Sequence, residues 1–169
     1  MRSLFAAAAA LLVAVAAARG QQQPGRAIEL TDQLGRRFTL ADLRGRPVLV
    51  TFVSAHCDGV CPLIESQIAA AAQRQRAEHG SLRFLTITLD PERDSHADLV
   101  RIAHTFGADP GYWLIAGGDP AAVHQLMADF GVEVTRGSDG YADAHTTFIT
   151  VLGSDGRVAG TMLPPAVRN

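Results

Sequence analysis

Residues 50–62 read Val-Thr-Phe-Val-Ser-Ala-His-Cys-Asp-Gly-Val-Cys-Pro, and this stretch decides the fold. It begins inside the continuous apolar and β-branched run Pro47 to Val53, which is typical of a buried central strand. The loop Ser54 to Val60 follows, and Pro62 stands where a helix would begin, because proline in the first helical turn gives up no hydrogen bond. A strand that leads through a cysteine-bearing loop into a helix predicts a thioredoxin-like domain.

The rest of the chain continues this alternation of strands and helices. A β-hairpin is predicted over 28–40, further strands over 82–89, 112–115, 147–152 and 157–162, and helices over 62–79, 96–106 and 120–130. Ser95 is the expected cap of the second helix, and the polar segment 135–144 is predicted to be irregular. This order indicates an α/β fold with a mixed central sheet and helices on both faces.

The length and the charge limit the possible functions. The 169 residues correspond to one domain with a short extension. The formal net charge is −2, so neither nucleic acid nor an anionic membrane surface is predicted as a partner.

The N-terminus predicts export. Arg2 precedes an apolar run from Phe5 to Ala18, and residues 16–18 form the small-residue pattern that a signal peptidase accepts. The run of about 14 residues is shorter than the ~20 that span a bilayer. We therefore expect residues 1–18 to be a signal peptide, or a short membrane anchor if they are not cleaved. Residues 19–26 are expected to be a flexible linker and 27–169 the domain, located in the periplasm or at the outer face of the cytoplasmic membrane.

The two cysteines allow three kinds of chemistry. A structural disulfide between Cys57 and Cys61 would close too small a loop to stabilise much. Thiol oxidoreductases favour two intervening residues, whereas three separate this pair. Two thiolates select Cu(I), zinc or iron–sulfur centres, and zinc or clusters want four protein ligands, so two sulfurs with one imidazole suit copper best. The helix N-terminus is expected to favour the thiolate of Cys61.

One of the six histidines is better placed than the others to complete such a site. His145 directly precedes the predicted strand 147–152, and in a thioredoxin-like sheet that position faces the cysteine-bearing helix start. His56 adjoins Cys57, but its ring is expected to point away from the sulfur. The others fall in predicted helices or at their ends, where packing or surface roles are expected: His79, His96, His104 and His124.

Four segments of the chain resemble the Sco/SenC family, whose members are thioredoxin-like proteins that deliver copper to the binuclear site of cytochrome c oxidase. The segments lie in the order and at the spacing of that family, across residues 28 to 160. They are the strand and cysteine motif 50–62, Leu-Asp-Pro-Glu-Arg-Asp-Ser at 89–95, Asp-Ala-His-Thr-Thr-Phe at 143–148, and Asp-Gly-Arg at 155–157.

The resemblance implies a copper ion held by Cys57, Cys61 and His145. It implies an acceptor cuproprotein, in particular cytochrome c oxidase subunit II, and a thiol reductant for the cysteine pair. A direct role in docking that partner is a further expectation for Asp90, Arg93 and Asp94, although Arg93 could instead pair with either aspartate.

Two other functions remain open on the sequence. A thiol–disulfide oxidoreductase would use Cys57 and Cys61 as a redox-active pair and would have little need of His145. Peroxide reduction would form a sulfenic acid at one cysteine.

The chain also departs from the family pattern. Asp58-Gly59 replace Pro-Asp, Thr146 replaces Ser, and the usual C-terminal helix is expected to be missing because the chain ends at Asn169.

Overall fold

The computed structural model describes residues 23–25, 27–57, 61–146 and 148–164. The predicted signal peptide or anchor, residues 58–60 of the cysteine motif and the end of the chain after Pro164 lie outside these residues, so the expectations about them stay predictions. None of the helices within the described ranges combines the length and apolar character needed to cross a membrane.

A seven-stranded mixed sheet forms the centre of the molecule, as predicted. The strands are β1 (Glu29–Asp32), β2 (Arg37–Thr39), β3 (Val48–Val53), β4 (Arg83–Thr88), β5 (Trp113–Gly118), β6 (Val134–Arg136), β7 (Ala142–His145), β8 (Ile149–Leu152) and β9 (Val158–Met162). In the large sheet they follow the order β2-β1-β5-β4-β3-β8-β9, in which β3, β4 and β5 are parallel and all other neighbours are antiparallel. A separate two-stranded sheet pairs β6 with β7.

In the described part of the chain, three α-helices cover the two faces of the sheet, and successive residues of a strand pack against opposite faces. They are α1 (Cys61–Ala77), α2 (His96–Phe106) and α3 (Pro120–Asp129). In β4, Phe84 packs in the cluster with α1 and α2, whereas Leu85 and Ile87 pack in the cluster with α3. The sequence prediction of helices on both faces is confirmed.

Local signals in the sequence set the helix boundaries. The Ser95 hydroxyl accepts the backbone N–H of Asp98, whose carboxylate in turn accepts the N–H of Ser95, so the predicted cap is present. Asp119 caps α3 immediately before Pro120. The first helix begins at Cys61, one residue before the proline at which we predicted its start.

Two parts of the structure differ from the sequence predictions. The segment 135–144, predicted to be irregular, contributes to the hairpin β6–β7, whose short and largely exposed strands lack an alternating apolar pattern. The prediction of a flexible segment does not hold at Pro24 and Gly25, which are buried, and the N–H of Gly25 donates to Asp129 at 3.1 Å.

A buried polar network lies beneath α1. The carboxyl group of Glu65 is 1% exposed and accepts a hydrogen bond from Thr86 at 3.1 Å and one from Thr51 at 3.5 Å. The Trp113 indole donates to the Thr86 hydroxyl at 3.0 Å. Burial raises the pKa of Glu65 to about 8, although both threonine hydrogen bonds act in the opposite direction. The folded protein therefore keeps this carboxyl group mostly protonated at pH 7.

The stability of the domain should consequently depend on pH through Glu65. The ordinary pKa is 4.5, so between pH 4.5 and about 8 the folded state holds a proton that the unfolded chain has released. The free energy of unfolding should fall as pH rises through this window, by up to ~1.4 kcal/mol per pH unit, and level off above it. We expect Glu65→Gln to flatten this dependence in urea titrations at pH 5, 6, 7 and 8. The matched control is Glu78→Gln, an exposed site that should keep the wild-type slope. Equal slopes in all three proteins would contradict the assignment.

Candidate metal centre

The two cysteines lie where β3 passes into α1. Cys57 is half-buried, and its backbone N–H donates to the Ser54 carbonyl at 3.2 Å, which turns the loop back toward the helix. Cys61 is the first residue of α1 and is 3% exposed. Both thiols are free, and Cys57 lies near enough to Cys61 to raise its pKa. One sulfur of the pair is thus accessible from solvent, and the other forms part of the core.

Burial dominates the acidity of Cys61. The pKa of this thiol is raised to about 12, first by loss of hydration and then by the hydrogen bond and charge of Cys57. Our expectation that the helix N-terminus favours the Cys61 thiolate is therefore wrong for the metal-free protein. Since a metal binds the thiolate, an ion entering this site must displace the proton of Cys61.

His145 reaches the cysteines from the opposite side. It is the last residue of β7, paired with Val134 of β6, and its Nε2 lies 3.6 Å from the Cys61 sulfur. Its Nδ1 lies 2.9 Å from the carbonyl oxygen of Thr146, which can only accept a hydrogen bond. In the neutral imidazole Nδ1 therefore carries the proton, and Nε2 presents a lone pair toward Cys61.

Thr146 is fixed in turn by Glu133. The Thr146 N–H donates to the Glu133 carbonyl at 3.0 Å, and the Thr146 hydroxyl accepts from the Glu133 N–H at 3.2 Å. The ring of His145 is thus oriented by backbone groups that the β6–β7 hairpin holds in place.

Asp90 anchors this hairpin to the main sheet. It follows β4 and is completely buried, and its carboxylate accepts the backbone N–H of Ala142 at 3.1 Å. It also forms an ion pair with Arg136, which donates in addition to the Leu89 carbonyl at 3.1 Å. One carboxylate therefore joins β4 to both strands of the hairpin that carries His145.

Asp94 performs the equivalent task for the cysteine loop. Its carboxylate accepts the N–H of Ala55 at 3.1 Å and the Thr88 hydroxyl at 2.6 Å, and it lies 3.5 Å from His56 Nδ1. Burial is the main cause that raises the pKa of Asp94. The His56 ring stacks on Tyr141 of the hairpin region, with ring centroids 4.0 Å apart. The loop before Cys57 and the hairpin before His145 therefore touch each other.

The three residues predicted to dock a partner divide into two groups. Asp90 and Asp94 are buried and use their carboxylates inside the protein, so their contribution is to position the site. Arg93 is exposed and its guanidinium lies 5.4 Å from the centre of the Tyr141 ring. Among the described residues no ion pair joins Arg93 to either aspartate, since Asp90 pairs with Arg136 and Asp94 lies beside His56. A docking role stays a prediction for Arg93.

The remaining histidines lie away from the cysteines. His96 forms a hydrogen bond with the Asp32 carbonyl at 3.1 Å, and His124 lies 3.1 Å from the carboxylate of Glu92. His79 and His104 are exposed on or after helices. The sequence did not single out Arg136 or Tyr141. A carboxylate that directly follows a buried strand needs a cationic partner. This requirement is the signal that could have directed attention to Arg136.

The donor atoms fit a small, soft metal ion. Within the described ranges no three His, Cys, Asp or Glu side chains are already gathered into a metal-binding group. Cys61 and His145 nevertheless lie 3.6 Å apart, and two ligands of a three-coordinate metal with bonds of ~2.0–2.3 Å stand about 3.7 Å from each other. A cleft of about 230 Å³, lined in part by Cys57, Cys61 and Phe106, borders the pair. Two thiolates with a neutral imidazole form a donor set that favours Cu(I).

The two thiols should differ in reactivity. In the reduced protein we expect iodoacetamide to modify Cys57 first and Cys61 at least ~10-fold more slowly, because Cys61 is buried and its pKa is raised. Peptide mapping by mass spectrometry at successive times and at pH 7, 8 and 9 measures both rates, and the urea-unfolded chain is the control in which the difference should disappear. Equal rates in the folded protein would show that the described burial of Cys61 is wrong.

The family model described as SCO1/SenC matches residues 16–167. A SCO1 protein homologue of Bacillus subtilis is 21% identical over 129 residues, which are 75% of this chain and 67% of that protein. A mitochondrial SCO2 homologue of Bos taurus is 37% identical over 79 residues, so the match spans 46% of this chain but only 30% of that protein.

Solved structures agree with these matches. Bradyrhizobium japonicum ScoI with copper bound has a TM-score of 0.70 at 29% identity, covering 85% of this chain and 91% of that one. BsSco, a protein with a disulfide switch from the Sco family of cytochrome c oxidase assembly proteins, shares the fold with a TM-score of 0.68 at 20% identity, covering 83% and 86%. The predicted thioredoxin-like fold and the predicted family resemblance are confirmed.

Proposed function

The chain belongs to the SCO1/SenC family, and we propose that it binds Cu(I) through Cys57, Cys61 and His145 in order to hand the ion to another protein. The observation that carries the proposal is the approach of His145 Nε2 to within 3.6 Å of the Cys61 sulfur, with its lone pair directed toward that sulfur. The copper bound by Bradyrhizobium ScoI supports the choice of metal.

The unequal exposure of the donors suits binding followed by release. The buried Cys61 and the hydrogen-bonded ring of His145 are held by the protein interior and by the hairpin. Cys57 is the more accessible donor, on a loop whose next three residues lie outside the described ranges. An acceptor's ligand can approach from the Cys57 side, so exchange of the ion begins there while the other two donors still hold it.

The acceptor is proposed to be a cuproprotein. The specific acceptor that we propose is cytochrome c oxidase subunit II, at its binuclear copper site. The family association of BsSco with oxidase assembly supports this proposal. The apolar run at residues 5–18 supports an exported protein, released or anchored at the outer face of the membrane.

A thiol–disulfide oxidoreductase is the second candidate, because both thiols are free and lie near each other. In that reaction the Cys57 thiolate attacks an acceptor disulfide and expels one acceptor thiol, and Cys61 then attacks the mixed disulfide and expels the second. The cysteine pair loses two electrons and the acceptor gains them, so a thiol reductant must restore the pair. The raised pKa of Cys61 slows the second attack.

Anaerobic competition titration of the reduced protein with a Cu(I) chelator tests the proposal. We expect one equivalent of Cu(I) to bind, and His145→Ala to weaken binding by at least ~100-fold. Loss of a hydrogen-bond partner of a metal ligand typically lowers the metal affinity about 10–100-fold, and loss of the ligand itself should cost more. The exposed His104→Ala is the matched control and should bind like the wild type. If affinity is indifferent to His145, the copper site is refuted and the oxidoreductase function is preferred. Transfer to the soluble domain of an oxidase subunit II, followed by its absorption spectrum, then tests the acceptor separately.

A further inference from the structure

A second cleft opens at the end of the sheet opposite to the cysteines. It lies at the N-terminal ends of the parallel strands β3 and β4, whereas Cys57 follows the C-terminal end of β3. Six residues of β3 separate the two ends, or roughly 20 Å at the usual rise per residue. The cleft has a volume of about 230 Å³, and its lining includes Arg44, Arg46, Arg83, Phe84, Tyr112 and Leu114. We propose that this cleft binds a phosphate group.

Arg83 is held in position without being neutralised. Its Nη1 donates to the carbonyls of Gly80 and Leu82, both at 3.0 Å, and its guanidinium lies 4.2 Å from the centre of the Tyr112 ring. These contacts fix the plane of the guanidinium and use neutral partners. The remaining N–H groups stay available for a ligand.

The other charges of the cleft leave a positive excess. Arg44 donates to the neutral side chain of Gln23 at 2.7 Å. Asp42 is the acidic residue of the lining, and its carboxylate already accepts the N–H and hydroxyl of Thr39 at 2.7 and 2.8 Å. Across the described ranges, no ion pair with a carboxylate is found for Arg44, Arg46 or Arg83.

This excess is unusual within the molecule. The chain has more acidic than basic residues, and several of its other arginines pair with a carboxylate, such as Arg101 with Asp98 at 2.8 Å. At the cleft, burial together with the charge of Arg46 lowers the pKa of Arg83, which shows that the two cations repel each other. A bound anion would remove this repulsion. The net charge of −2, which predicted no anionic partner, conceals this local concentration of positive charge.

The form of the cleft favours phosphate among anions. A phosphate offers several oxygens to the planar forks of guanidinium groups, which bind it in a bidentate manner. The apolar surface of Phe84 and Leu114 can cover an attached organic group. The phosphate can come from a soluble ester or from an anionic phospholipid. Because Arg44 holds Gln23, the cleft lies where the N-terminal segment joins the domain, and a retained anchor would bring it close to lipid headgroups.

Two binding measurements on the full chain distinguish these sources. Inorganic phosphate is titrated by calorimetry, and co-sedimentation compares vesicles of phosphatidylcholine alone with vesicles that also contain phosphatidylglycerol. The test variant is Arg46→Gln with Arg83→Gln. The control is Arg101→Gln with Arg37→Gln, which removes the same charge from two arginines that are paired with Asp98 and Glu29 and do not line the cleft. Thermal unfolding verifies that both double variants fold. If the test variant does not fold, the single variant Arg46→Gln replaces it, because the Arg46 side chain is exposed.

We expect either saturable binding of phosphate or increased sedimentation with vesicles that contain phosphatidylglycerol. The test variant should weaken this binding by at least ~10-fold, and the control variant should leave it unchanged. The probe that binds identifies the source. The proposal is overturned if neither probe binds, or if both double variants lose binding equally, since the attraction would then be non-specific. These measurements need no copper, so their outcome is independent of the proposed copper function.

Discussion

The buried carboxylate of Asp90 is the constraint from which the geometry of the cysteine end follows. A carboxylate removed from water is costly unless charges and hydrogen bonds compensate it. Asp90 meets this requirement with the Arg136 guanidinium and the Ala142 amide, which belong to the two strands of one hairpin. Satisfying the charge therefore also sets the position of the hairpin on the sheet. Four residues later, Asp94 imposes the same condition on the loop that leads to Cys57. A single turn after β4 thus positions both sides of the site.

The sequence could predict those features whose causes are local. The apolar run 47–53, the proline after Cys61, and the hydroxyl of Ser95 placed before Asp98 each act over a few residues, and the corresponding elements are present. The position of His145 was predictable because the order of strands in a thioredoxin-like sheet brings it to the cysteine-bearing helix.

Other features depend on contacts between distant parts of the chain. The strands β6 and β7 are short and polar, and they are anchored by Asp90, which is 52 residues away from Ala142. The charged run 90–94 has the composition of a solvated loop, yet two of its carboxylates are buried. The acidity of Cys61 was predicted from the helix end alone, whereas packing around the sulfur decides it. In each case the local pattern gave no measure of burial.

The hydrogen bonds around Thr146 determine which side chains position 146 can accept. The proton on His145 is fixed by the carbonyl of residue 146, a group that every amino acid possesses, while the side chain of Thr146 contributes a hydroxyl that receives the N–H of Glu133. Serine carries the same hydroxyl. Either residue therefore satisfies the Glu133 N–H, because the methyl group of Thr146 takes no part in these hydrogen bonds.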